Sequence, residues 1–187
     1  MAINNLKELY IAELKDLYDA NQQANVTVEK LISAASEPKL KDALKRSIEG
    51  TKQGNSHIKA ILDGHGEGVG NVTCQGMKGL TREAEKHTLE EEFGDDSVRD
   101  AMLISQYQRI AHYAITGYGT VEAFAKRLGV LEEAKKLETC KEQTMEGTAH
   151  LPSYVNLAKV IDCCYLTVLR SLLLNFIARA RVRVCVC

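Results

Sequence analysis

The most constraining feature of this chain is how rarely its helical periodicity is interrupted. Between residues 3 and 34, Tyr10, Leu14, Leu17, Asn21, Ala24, Val28 and Leu31 recur at spacings of three and four, with no proline or glycine among them. That spacing places all seven on one face of a helix and is incompatible with the two-residue alternation of a strand. Only two prolines, Pro38 and Pro152, occur in 187 residues, and tryptophan is absent. With so few breakers and aromatics, the chain is expected to be all-α.

Three more stripes follow. Ser36 before Pro38 is a good start for a second helix reaching about Asp63, with Leu40, Leu44, Ile48, Thr51, Asn55, Ile58 and Leu62 on one face. Asp95, Asp96 and Ser97 offer caps for a long third helix carrying Tyr107, Ala111, Ala114, Tyr118, Val121, Ala125 and Leu128, closed by Gly129. A fourth helix follows almost at once through Val130, Ala134, Leu137, Cys140, Thr144 and Thr148, up to Pro152. The short turn makes the third and fourth helices antiparallel neighbours.

Between the hairpins, residues 64 to 79 hold six glycines and read as a loop, with a short helix at 80–93 ending in Glu90-Glu91-Glu92. The glycines match neither phosphate-binding spacing. Two helical hairpins joined by a longer crossover describe a ferritin-like antiparallel four-helix bundle. That bundle is expected to span residues 1–158, with 159–187 as an apolar and then basic extension. The stretch 160–178 is long enough to span a membrane, but Asp162, Arg170 and Asn175 favour a fifth, packed helix.

A net charge of −1 gives no general attraction for nucleic acid or acidic membranes. The charged amphipathic start has no apolar core of signal-peptide length, so a cytoplasmic location is expected and the Asn-x-Thr triplets at Asn25 and Asn71 read as chance matches. The six cysteines show no CxxC pair and read as free thiols.

In a ferritin-like bundle, inward carboxylates and histidines hold two metals, so the middle of each stripe is where chemistry would lie. Here those positions carry Asn21, Thr51, Gly54, Ala111, Ala114, Thr144 and Thr148, all small or weakly polar. Iron or manganese centres of this kind need anionic oxygen ligands, which this set lacks. Facing small side chains leave space, so these seven are expected to line a cavity holding water or a small ligand. Glu13, Asp16, Glu49 and Glu142 remain near inward positions and could form a displaced site; carboxylates paired with neighbouring lysines are the plainer reading. His112 lies beside the third stripe and reads as a hydrogen-bonded or half-exposed histidine.

The segments Leu14-Lys15-Asp16-Leu17-Tyr18, Ile48-Glu49-Gly50-Thr51, Cys74-Gln75-Gly76-Met77-Lys78-Gly79-Leu80 and His112-Tyr113 followed by Tyr118-Gly119-Thr120 resemble the YciF/YciE-type family of ferritin-like stress proteins, the domain of unknown function 892. The resemblance covers residues 3 to 158 and implies a homodimer. It also implies glutamates at the positions of Asn21, Gly50, Ala111 and Ala114, and acids at those of Thr144 and Thr148, as metal ligands. None of them is kept, which implies a non-catalytic structural or stress-associated protein with a degenerate di-iron centre and no cofactor. An iron or manganese carboxylate protein using displaced ligands and a small-ligand binding bundle are the alternatives.

Overall fold

In a computed structural model, residues 3–154 are described. The fifth helix and basic tail expected from the sequence lie outside those residues. Helix α1 (Leu6–Ala34) is capped by Asn5, whose side chain accepts from Glu8 N, and all seven residues of its stripe are buried. Helix α2 (Pro38–Gly64) opens with proline in its first turn, where a missing N–H costs nothing. Its N-cap is Glu37 rather than Ser36. Ser36 instead donates through N and Oγ to Asp100, at 2.8 and 2.6 Å.

The crossover differs from expectation. Helix α3 (Gln75–Glu85) begins five residues early, capped by the Cys74 thiol, and runs into a wider π turn at Lys86–Glu90. Gly76 and Gly79 are therefore helical. Gly76 is there for closeness, because a Cβ on it would sit 2.8 Å from the Tyr113 hydroxyl. Helix α4 (Asp96–Leu128) is capped by Asp95 and ends at Gly129, whose φ of 77° suits glycine. Helix α5 (Leu131–Ala149) leads into a 3₁₀ turn at Leu151–Tyr154.

Helix α1 packs on α2 and α4, and α5 packs on α4 and α2, so the four long helices close a ring while α3 lies outside it against α1 and α4. Asp100, near the start of α4, reaches the α1–α2 corner. The crossover thus returns the chain to the end where α2 began, and every neighbouring pair in the ring runs antiparallel. This is the ferritin-like bundle. At the opposite end, Tyr10 donates to Glu133 at 2.9 Å and His65 contacts the same carboxylate oxygen at 3.2 Å, tying α1, α2 and α5 together.

Buried side chains fall into two apolar clusters inside the bundle. One is built on Tyr10, Leu14, Leu17, Ile58, Leu62 and Leu137, the other on Val28, Leu31, Leu40, Leu44, Ile48 and Leu103. Asn21 and Asn55 belong to neither cluster and are nevertheless buried. They mark a polar layer at mid-bundle.

Among the described residues, the least exposed side chain in an ion pair is Glu122, which has two partners. The Glu122 carboxylate is buried and meets both Lys126, at 2.6 Å, and Lys141 across the α4–α5 seam. Burial pushes its carboxyl up, but the hydrogen bonds and charges of the two lysines outweigh that and hold it below the ordinary value. A folded-state pKa below the unfolded one contributes stability above the unfolded value, and that contribution is lost as pH falls through the folded value. Glu122→Gln should therefore lower the urea midpoint at pH 7. The gap from wild type should shrink once the pH falls below the ordinary glutamate value of 4.5.

Candidate functional site: a neutral polar layer at mid-bundle

The layer is assembled from three helices. Asn21 on α1 is 1% exposed and donates through Nδ2 to Asn55 Oδ1 on α2 at 2.9 Å and to the Tyr118 hydroxyl on α4 at 3.0 Å. Asn55 Nδ2 donates in turn to the Tyr18 carbonyl at 3.1 Å. That last bond turns Asn55 Oδ1 towards Asn21, which fixes the Asn21 amide with its nitrogen facing Asn55 and its oxygen facing away. Asn21 Oδ1 is left buried without a hydrogen-bond partner among the described residues.

A void of about 30 Å³ is lined by Asn21, Thr51, Ala111, Ala114 and Thr144 together with Ser47, Tyr107 and Tyr118. A space of that size holds about one water, which needs polar partners of the kind found here. Gly54 and Thr148 lie elsewhere. Thr148 is buried and donates to the Met145 carbonyl at 2.8 Å. Gly54 sits beneath the Tyr118 hydroxyl, where an added Cβ would overlap it. Gly54→Ala should destabilise the fold by about 1–3 kcal/mol despite its better helix propensity, because Tyr118 is buried and held by Asn21. Chemical denaturation of the variant measures this directly.

The groups facing the layer are held uncharged. Burial, and then the neighbouring Cys140, push the Tyr118 phenol well above its ordinary range, with the Asn21 amide pulling the other way. Burial raises Tyr107 and takes the Cys140 thiol up to about 11. At neutral pH these are phenols and a thiol. Ser47, Thr51 and Thr144 turn their hydroxyl hydrogens onto the carbonyls of Leu44, Ser47 and Cys140, at 2.7, 2.9 and 2.8 Å.

The remaining acids do not converge on the layer. Glu49 and Glu142 are exposed, while Glu13 and Asp16 lie half-buried along an outer groove on α1 shared with Tyr113. Among the described residues, no group of three or more histidine, cysteine, aspartate or glutamate side chains is placed to hold a metal ion. His112 is exposed and donates from Nδ1 to the Gln108 carbonyl at 2.9 Å. Amide, hydroxyl and methyl groups do not fit a pair of iron or manganese ions, which require anionic oxygens. Two buried carboxylates, Asp100 and Glu122, were missed although helical spacing sets them on the buried face of α4 with Ile104 and Tyr107 and with Tyr118 and Ala125; a carboxylate there reads as solvated until its distant partners, Ser36 and Lys141, are known.

The DUF892 family, described as a domain of unknown function, matches residues 5–159. This chain belongs to the DUF892 family. It is 32% identical over 145 residues to the protein YciF of Escherichia coli strain K12, a match covering 76% of this chain and 86% of that one. The crystal structure of the E. coli stress protein YciF superposes with a TM-score of 0.76 at 28% identity, covering 82% of this chain and 96% of that one. YcfI from Rhodopseudomonas palustris superposes with a TM-score of 0.75 at 27% identity, covering 80% of this chain and 94% of that one. Among the described residues of this DUF892 chain, no helix is long and apolar enough to cross a membrane.

Proposed function

We propose that this chain is a non-catalytic, stress-associated member of its family, acting as a structural protein in the cytoplasm and as a homodimer. In this reading its mid-bundle layer is a degenerate metal centre. The carrying observation is the buried Asn21–Asn55–Tyr118 network, which occupies the middle of the bundle with neutral groups. The relatives support the role: one similar structure is that of a stress protein, and the fold is shared along nearly its whole length.

Thermal melting with and without metal tests the reading. Any ligand that binds only the folded state raises its stability by mass action, by about 2.7 kcal/mol at a hundredfold excess over Kd. For a domain of this size that is a rise on the order of 10 °C. The expected result is one melting temperature in EDTA, in ferrous iron and in manganous ion. A saturable rise in either metal would contradict the proposal.

A further inference from the structure

The void beside Asn21 has a larger neighbour. A cleft of about 460 Å³ runs along the α2–α5 seam, and Ser47, Thr51, Tyr107, Tyr118 and Thr144 line both spaces. The cleft exists because Gly50 and Gly147 put no side chain into it; an added Cβ on either would meet nothing within 4 Å. Its size is in the range of sites for small organic molecules. Asn21, 1% exposed and with its Oδ1 unpartnered among the described residues, lines the adjoining void.

We propose that this cleft is a binding site for a small neutral polyhydroxylated molecule, with one hydroxyl reaching the void to donate to Asn21 Oδ1. The wall selects the class. The oxygens of Thr51 and Thr144 have their hydrogens committed to backbone carbonyls, so they join Asn21 Oδ1 as acceptors for a guest's donors, while the Tyr118 hydroxyl, which accepts from Asn21, can donate to a guest's oxygen, and a hydroxyl meets both needs. The shared wall carries no ionised group, so a charged head would be buried without a partner. At the exposed rim, Arg46 and Glu146 are of opposite sign and together favour neither an anion nor a cation. Gln53 and Gln143 add amide groups suited to hydroxyls, and Tyr107 and Tyr154 add aromatic carbon on which a carbon skeleton can rest. This inference goes beyond the structural role and stands whether or not metal binds.

The test is an amide NMR titration of the whole chain with sorbitol and with glucose, and separately with butylammonium chloride and sodium acetate. Saturable shifts from a polyol at Thr51, Thr144 and Gly147 are expected, with a Kd in roughly the millimolar range. The double variant Gly50→Leu, Gly147→Leu fills the cleft from its open side without disturbing buried atoms, and should weaken that binding at least about tenfold. Polyol shifts that stay linear with concentration, or that persist unchanged in the double variant, would overturn the proposal. So would saturable binding of the ammonium or acetate probe in place of a polyol.

Discussion

Asn21→Asp should destabilise the bundle by about 3–5 kcal/mol at pH 7, a large loss for a change of one amide nitrogen to oxygen. The position is 1% exposed, and Asn21 now supplies both donors that bind it to Asn55 and Tyr118. A carboxylate would place an acceptor 2.9 Å from the Asn55 oxygen, and that oxygen cannot turn away without giving up the Tyr18 carbonyl. A buried acid without a cationic partner has its pKa raised in the folded state, so the folded protein binds more protons than the unfolded one. The loss is therefore greatest above the raised pKa and diminishes as pH falls. Urea denaturation of wild type and variant at pH 7 and at pH 5 reads the effect. Equal stabilities at pH 7 would mean that a source of positive charge faces the layer, contrary to its neutral lining.

Asp100→Ala should cost about 2–4 kcal/mol, because one side chain there does the work of a corner. Asp100 is 3% exposed and accepts from Ser36 N, Ser36 Oγ and Glu37 N, at 2.8, 2.6 and 2.8 Å. These are charge-assisted bonds, stronger than neutral ones, and two of them occupy backbone N–H groups at the start of α2. Asp100→Asn should retain part of the loss, since an amide offers one acceptor oxygen in place of two. The effect should appear as a lower denaturation midpoint with the slope unchanged. A midpoint equal to wild type would show that water replaces the carboxylate at this corner without penalty.

The long helices were legible because their signal is periodic and local. Tyr10 to Leu31 on α1 and Tyr107 to Ala125 on α4 are buried at the spacings the sequence implies. The start of α3 was not legible, because glycine at 76 argues for a loop unless one knows that Tyr113 from α4 lies against it. Ser36 likewise looked like a cap until Asp100, 64 residues away, claimed both of its donors. At the site, the residue types were readable and their relations were not. Asn21, Thr51, Ala111, Ala114 and Thr144 line one void together with Tyr118, whose hydroxyl lies over Gly54 in a way that neither helix's own stripe reveals. The Asn21–Asn55–Tyr118 network depends on the register of three helices, which no single stripe encodes.

Total iron and manganese in tag-free protein, before and after loading with ferrous iron and desalting, shows whether the mid-bundle layer holds metal. Metal near zero per chain is expected in both samples, since the mid-bundle donors are neutral amides and hydroxyls. Metal retained near two atoms per chain would contradict the degenerate centre and would require a set of anionic ligands that this layer does not supply.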